Sequence, residues 1–161
     1  YQDEQFRYLT EKLNGYITGA YIYNKMGLTE QVATTITIAT PNPVRRFRFK
    51  NLDIECVKAY CMVYPDESLV PYLRLLDAIK DMKRIPGTTG QDIYNRVKSQ
   101  YFNGYSLPEL EKIVSLAKSY PPRVRKVVAD ILGDIRQTVL QTEMVKTILP
   151  TTRFNLDYKT A

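Results

Sequence analysis

The chain has 161 residues, of which 44% are hydrophobic, so it has the size and composition of one folded domain rather than of a disordered segment. Its formal net charge of +6 favours an anionic partner, with nucleic acid ahead of an anionic membrane. The absence of histidine removes the commonest general base and the commonest metal ligand.

Two cysteines, Cys56 and Cys61, are interpreted as small apolar side chains, so we predict neither a metal site nor a cofactor. No run of about 18 apolar residues occurs, and a transmembrane helix is therefore not expected. The first residue is Tyr1 instead of Met, which predicts a processed chain or a part of a longer one.

Residues 1–25 carry apolar side chains at helical spacing, including Leu9, and Asp3 is placed to cap the first turn. Gly15 and Gly19 interrupt this pattern, and each lowers helix propensity by roughly 1 kcal/mol relative to Ala. They indicate either the close approach of another backbone or of a phosphate, or a bent or broken helix.

The segment 32–40, VATTITIAT, is rich in β-branched residues, but no second strong strand is evident to pair with it. We therefore predict an extended arm, or a strand that pairs in an oligomer. The next segment, 41–50 or PNPVRRFRFK, breaks regular structure at Pro41 and Pro43 and then places four cations beside two phenylalanines. We interpret it as the joint between the arm and a helical body.

After PNPVRRFRFK, apolar spacing predicts one helix after another. The first is expected over 51–63, and Asp66 is expected to cap the second. Ser106 and Glu109 form a capping-box pattern, which is the clearest local helix signal in the chain. The last helix is predicted to run without interruption over 123–149.

These elements predict an all-α protein, in which an extended and partly helical N-terminal arm precedes a C-terminal bundle of four to five helices. We divide the chain into a nucleic-acid-binding arm at 1–50, a helical bundle at 51–149 and a tail at 150–161. The tail is expected to contact neighbouring subunits.

Catalytic chemistry has little support in the sequence. No glycine-rich phosphate loop follows a strand, and a nucleophilic triad would lack its usual base. Two acid pairs at helical spacing, Asp77 with Asp81 and Asp130 with Asp134, are interpreted as solvated faces rather than as a metal or catalytic site. We therefore predict that the protein is not an enzyme.

Cations and flat aromatic side chains occur together in the first fifty residues. Lys and Arg bind a phosphate backbone with little sequence information, and aromatic or small residues permit close approach. An arm on nucleic acid, joined to a body that packs against copies of itself, would form a nucleoprotein coat. The alternative at this point is a helical protein whose arm serves only subunit exchange.

The run 72–117 resembles the body of the major coat proteins of filamentous and rod-shaped archaeal DNA viruses. The shared features are a basic-ended helix, a Gly/Pro turn, a helix ending in paired aromatics, a Gly-Tyr turn and a Pro-started helix with an apolar stripe. The resemblance implies a non-enzymatic capsid protein of the virion that self-assembles as a helical filament around double-stranded DNA in the A form. It further implies a dimer of the chain with itself or with a related second coat protein, and is compatible with a viral envelope.

In that family the arm contacts phosphates through cations and does not read bases. The resemblance assigns nucleic-acid binding to Arg7, Lys12, Tyr16, Tyr23, Lys25, Arg45, Arg46, Arg48 and Lys50. Two other functions stay open. One is a helical DNA-binding regulator, for which 123–136 is the candidate recognition helix, and the other is a protein-interaction scaffold.

Overall fold

The chain has a mixed α/β fold, so the all-α prediction is wrong. The structure is a computed structural model that describes residues 2–61 and 66–161. Within those ranges a four-stranded sheet accompanies the helices. Two compact units are present, one ending at Asp77 and the other spanning Ala78–Ala161. The sheet also departs from the helical architecture that the resemblance to archaeal viral coat proteins implies.

The unit that ends at Asp77 contains the whole sheet. Its elements are α1 (Gln2–Leu13), β1 (Tyr16–Thr18), α2 (Ala20–Lys25), β2 (Thr35–Thr40), β3 (Arg46–Phe49), β4 (Leu52–Lys58) and the first part of α3 (Val70–Asp81). The strand order is β1-β2-β4-β3, with β2 and β4 parallel and both outer pairs antiparallel. The partly helical arm predicted over 1–50 is therefore a folded α/β layer.

Two glycines explain why the helix predicted over 1–25 is broken. A Cβ on Gly15 would lie 2.1 Å from the carbonyl oxygen of Ala39, so only glycine permits this approach to β2. Gly19 has a φ of 78°, a left-handed conformation that glycine adopts without a steric penalty. The structure therefore shows a broken helix. It also shows the close approach of a backbone at Gly15, and that backbone belongs to the same chain.

The segment 32–40 forms no free arm, because its strand β2 pairs on both sides within the chain. Ile38 is opposite Ile17 of β1 and opposite Cys56 of β4. The prediction of an unpaired or intermolecular strand is thus wrong. β4 pairs with all six residues of β2 on one side, and β1 pairs with Thr37, Ile38 and Ala39 on the other, so the backbone groups of the central strand find partners within the chain.

The helix predicted over 51–63 is also wrong, since this segment begins with strand β4. Alternation places Ile54 and Cys56 in the core and turns Asp53 and Glu55 to the opposite face. The end predicted for that helix, at 62–65, lies outside the described residues.

PNPVRRFRFK contains an edge strand rather than a joint to a helical body. Its RFRF part is β3, which pairs with β4 through a two-residue turn at Lys50 and Asn51. Lys50 has a φ of 54°, which is unusual for a side chain other than Gly, Asn or Asp.

Helices α1 and α2 cover one face of this sheet. Leu9, Leu13 and Ile22 are buried against strand residues such as Ile36 and Ile54, and the core of this unit lies there. At the edge strand, the half-buried rings of Phe47 and Phe49 pack against the same core.

The unit Ala78–Ala161 is helical in its described elements. Its core includes Ile93, Val97, Ile113, Val127 and Ile131, all fully buried. Its elements after the end of α3 are α4 (Gly90–Gln100), α5 (Leu107–Ala117), α6 (Pro122–Asp134) and α7 (Thr138–Val145). No helix of the described chain is both long enough and apolar enough to cross a bilayer.

The capping signals at Ser106 and Asp66 are confirmed, but Asp3 lies inside the first turn of α1 instead of capping it, and the uninterrupted last helix is wrong. The Ser106 hydroxyl accepts from the backbone of Glu109, and the Glu109 carboxylate accepts in return from the backbone of Ser106. Asp66 accepts from the backbone of Ser68 at the start of a short 3₁₀ turn. The expected helix over 123–149 is divided between α6 and α7, with Arg136 at a φ of 63° in the turn.

Candidate nucleic-acid interface

Positive charge is distributed unevenly between the two units. Residues 1–77 contain nine lysines and arginines and nine aspartates and glutamates, so their net formal charge is zero. Residues 78–161 contain 14 cationic and eight acidic side chains and carry the whole +6. An anion-binding surface in the first unit must therefore depend on local grouping of cations, because the unit has no overall excess.

Such a grouping occurs where α1 meets the turn between β3 and β4. The rings of Tyr8 and Phe49 are stacked, with centroids 5.5 Å apart and planes 18° apart. The Nζ of Lys12 lies 5.6 Å from the Tyr8 centroid, and the Nζ of Lys50 lies 5.6 Å from that of Phe49. Lys12 also donates to the Tyr8 hydroxyl at 3.5 Å.

Arg45 extends this grouping along β3. Its guanidinium carbon lies 4.5 Å from the ring centroid of Phe47. Among the described residues, neither Arg45 nor Lys12 nor Lys50 forms an ion pair. We name the set Tyr8, Lys12, Arg45, Phe47, Phe49 and Lys50 the cation–aromatic edge.

Arg46 and Arg48 lie on the opposite face of β3, and each faces a carboxylate of β4. Arg46 pairs with Glu55, and the Nη1 of Arg48 lies 3.0 Å from the Oδ1 of Asp53. All four side chains are at least partly exposed, so each pair contributes at most about 1 kcal/mol to stability. The carboxylates nevertheless cancel the charge of this face toward a phosphate.

The two tyrosines assigned to the interface are buried. Tyr16 is 4% exposed and donates its hydroxyl to Asp77 at 2.7 Å, and Thr18 donates to the same carboxylate at 2.8 Å. Tyr23 is 2% exposed. The structure thus places both rings in the interior, and Asp77 is a buried acceptor rather than a member of a solvated acid pair.

Arg7 and Lys25 lie apart from the cation–aromatic edge. Arg7 is exposed on α1 and lines a cleft with Arg74 of α3. The Nζ of Lys25 lies 4.9 Å from the ring centroid of Tyr21. Of the nine assigned residues, Lys12, Arg45 and Lys50 therefore belong to the cation–aromatic edge.

Tyr8 belongs to the cation–aromatic edge although the sequence-based assignment omits it. The sequence feature that could have identified it is its spacing. Tyr8 lies off the apolar stripe of α1 and four residues before Lys12, and a helix brings side chains at that spacing together. Its stacking on Phe49 depends on the β3–β4 turn and has no local signal.

The acid pair Asp130 and Asp134 holds the C-terminal tail. Asp130 accepts from Tyr158 at 2.7 Å and from Lys126 at 3.0 Å. Asp134 accepts from Tyr94 at 2.7 Å, from Lys98 at 3.0 Å and from the backbone N–H of Ala161. The rings of Tyr94 and Tyr158 stack with centroids 4.3 Å apart, so the tail packs onto its own unit.

The pKa values in this network follow from burial and hydrogen bonding. Burial raises the pKa of Tyr94 and of Tyr158 well above the ordinary value, and hydrogen bonds to Asp134 and Asp130 raise them further. Burial also acts to raise the pKa of Asp134, but the bonds from Tyr94, Lys98 and Ala161 outweigh it, so that pKa is lowered. Both tyrosines therefore stay protonated near neutral pH and Asp134 stays ionised, which are the forms that their hydrogen bonds require. None of these three groups has a pKa near 7, as a general acid or base would need.

The described residues show no metal site, and one of the two cysteines is shielded. Residues 2–61 and 66–161 hold no group of three or more candidate metal ligands. Cys56 is buried, and burial raises the pKa of its thiol, which makes it a weak nucleophile.

Comparisons with family models, with curated protein sequences and with solved structures give no match for this chain.

Proposed function

We propose that this chain is a non-enzymatic protein that binds the phosphate backbone of double-stranded DNA without reading its base sequence. The observation that carries the proposal is the cation–aromatic edge, where three cations lie against aromatic rings and have no carboxylate partner in the described chain. The proposal does not extend to a viral coat, because the sheet departs from the helical architecture on which that interpretation depends.

Aromatic contacts favour this surface over the neighbouring arginines. A phosphate that approaches Arg46 or Arg48 competes with Glu55 or Asp53, whereas neither Lys12 nor Lys50 forms an ion pair among the described residues. Glu4 lines the same cleft as Lys50, but no ion pair joins the two in the described chain. A cation held over a ring loses less side-chain freedom when it binds, because its position is already restricted.

Backbone geometry at Lys50 adds to this argument. A lysine with a φ of 54° is held in a conformation that costs about 1 kcal/mol, at a turn position where glycine is usual. The turn presents the ammonium group of Lys50 at the end of the hairpin. A binding role for this charge would account for lysine at that position.

Three phosphate contacts would give weak, salt-sensitive binding. The logarithm of the association constant should fall with the logarithm of salt concentration with a slope of about −2.7 for three neutralised phosphates. Affinity should then fall about 40-fold between 50 and 200 mM salt. Backbone contacts of this kind carry no base preference, so unrelated duplexes should bind alike.

Two charge-matched variants test the proposal in full-length protein. The edge variant is K12Q/R45Q/K50Q, and the control variant R136Q/K146Q/R153Q removes three exposed cations from the unit that carries the net charge. Fluorescence anisotropy with two 20-base-pair duplexes of unrelated sequence, at 50 mM salt, measures binding.

We expect the edge variant to lose at least tenfold in affinity for both duplexes, and the control variant to lose less than threefold. Equal losses in the two variants would assign binding to net charge and contradict the proposal. No binding by the parent chain at low salt would also contradict it, and strong preference for one duplex would favour a sequence-reading regulator.

A further inference from the structure

A cleft of about 400 Å³ opens in the unit that ends at Asp77, and none of its lining residues belongs to the cation–aromatic edge. Its apolar wall includes Phe6, Ile17, Val70 and Pro71. This volume and this mainly apolar lining are typical of sites for small organic molecules.

Arg74 is the most constrained polar group in the cleft. Its Nε–H donates to the backbone carbonyl of Ile17 at 2.8 Å, which fixes the guanidinium against β1. The terminal N–H groups of Arg74 have no protein partner among residues 2–61 and 66–161. Burial lowers the pKa of Arg74, although the guanidinium stays charged at any physiological pH.

Asp77, on the same helix, interacts electrostatically with Arg74, but no ion pair joins the two among residues 2–61 and 66–161. Asp77 accepts hydroxyl hydrogen bonds from Tyr16 and Thr18 at 2.7 and 2.8 Å. A half-buried guanidinium with unused donors interacts more strongly with an anion than an exposed one does, because less water competes for it.

Two further charged groups line the cleft. Arg7 and Glu67 are both exposed, and neither forms an ion pair within the described chain. Thr10 donates its hydroxyl to the backbone carbonyl of Arg7 at 3.1 Å. The cleft therefore offers two cations to one carboxylate, beside an apolar wall.

We propose that this cleft binds a small organic anion, in which a carboxylate or phosphate head is joined to an apolar body. The head lies on the guanidinium of Arg74 with support from Arg7, because a guanidinium fork matches both oxyanions. The body packs on Phe6, Val70 and Pro71, and Glu67 accepts from a hydroxyl or amine of the ligand. This inference is independent of the proposed DNA binding.

Titration of ¹⁵N-labelled full-length protein with benzoate, phenyl phosphate and inorganic phosphate tests the cleft and distinguishes the two heads. We expect saturable shifts of cleft amides, with a dissociation constant on the order of 1 mM, for at least one of the two aromatic anions. Inorganic phosphate should bind roughly tenfold more weakly than the preferred aromatic anion, because it has no apolar body. Binding by benzoate alone would assign a carboxylate head, and binding by phenyl phosphate alone a phosphate head.

Variants link the shifts to the proposed residues. R74Q should weaken binding at least tenfold and R7Q about threefold, whereas R46Q, the matched change outside the cleft, should leave it unaltered. If R74Q does not fold, R74K supplies the test, because it keeps the charge but loses the fork and should still weaken binding. The edge variant K12Q/R45Q/K50Q should bind the anion like the parent chain.

The inference is overturned if neither aromatic anion gives saturable shifts below about 20 mM, which is far weaker than a formed site requires. It is also overturned if R46Q weakens binding as much as R74Q does, since the anion would then respond to charge in general.

Discussion

The two units of the chain use their cations differently. The unit that ends at Asp77 has no net charge, yet it leaves Lys12, Arg45 and Lys50 beside aromatic rings without carboxylate partners in the described chain. The unit Ala78–Ala161 carries the whole +6, yet many of its cations hold the fold together. We therefore expect unpaired cations grouped beside aromatic rings, rather than net charge, to mark an anion-binding surface.

Several pairs in the second unit show this use. Lys98 pairs with Asp134 and Lys126 with Asp130, and both carboxylates are largely buried. Arg125 donates to the backbone carbonyls of Tyr120 and Thr147. A charge that satisfies a buried acceptor is costly to withdraw, so such cations are unavailable to a partner.

The largest expected effect concerns the tail of the second unit. Y158A should lower the free energy of unfolding by about 3 kcal/mol, because it removes a buried aromatic ring, its stacking on Tyr94 and a bond to Asp130. Y158F should cost only about 1 kcal/mol, since it removes the hydroxyl alone. Urea denaturation measures both. Equal small losses in the two variants would show that the tail is not packed.

The first unit should be most sensitive at Gly15. G15A should cost about 2 kcal/mol, because its methyl group would overlap the Ala39 carbonyl. G104A is the matched control in the second unit, where nothing lies within 4 Å of the added atom, and it should be neutral within about 0.5 kcal/mol. The same denaturation experiment compares them. A neutral G15A would contradict the close pairing of β1 with β2.

Capping signals were predictable because they are local. Ser106 and Glu109 are three residues apart, and Asp66 acts on Ser68, so the sequence alone contains both partners of each bond. The central pairing of the sheet, β2 with β4, joins residues far apart in sequence, such as Ile36 and Ile54. Leu52, Ile54 and Cys56 alternate as in a strand, but Leu52 and Cys56 also fit one helical face, and only the pairing with β2 decides between the two.

Strand alternation also explains what could be predicted of the site. PNPVRRFRFK contains two of the three cations of the cation–aromatic edge, Arg45 and Lys50, but its side chains point to both faces of β3. Because side chains alternate along β3, Arg46 and Arg48 share one face and pair with carboxylates of β4. The guanidinium of Arg45 lies over the ring of Phe47 instead. Without the register, the paired and the available arginines cannot be told apart.

The tail network should make stability depend on alkaline pH. The folded chain raises the pKa of Tyr94 and Tyr158 above the ordinary value of 10.0, so their contribution is complete below pH 10 and is lost as pH rises toward the folded values. The loss should be about 1.4 kcal/mol per pH unit above 10 for each tyrosine. Denaturation between pH 9 and 11 measures it, and Y94F/Y158F should remove this slope.

The same network has the opposite dependence in acid. The folded chain lowers the pKa of Asp134 below 3.8, so its contribution is complete above that value and is lost as pH falls through the folded pKa. D134N has no carboxyl group to protonate at this position, so its free energy of unfolding should fall less than that of the parent chain as pH drops below about 4. Equal falls in the two proteins, measured by denaturation, would contradict this assignment.

The smallest expected effect is at the turn of the first unit. K50G should stabilise the fold by up to about 1 kcal/mol, because glycine adopts a φ of 54° without strain. It should also reduce the magnitude of the salt slope for DNA binding by about 0.9, through the loss of one phosphate contact. K50Q should give the same slope change without the gain in stability. A K50G variant that binds DNA like the parent chain would remove Lys50 from the interface.

The salt dependence of DNA binding distinguishes the cation–aromatic edge from net charge as the source of affinity. Anisotropy titrations at four salt concentrations give the slope for the parent chain, the edge variant K12Q/R45Q/K50Q and the control variant R136Q/K146Q/R153Q. We predict slopes of about −2.7 for the parent chain and for the control variant, and a slope near zero for the edge variant. A slope that collapses in the control variant and persists in the edge variant would exclude the cation–aromatic edge as the DNA-binding surface.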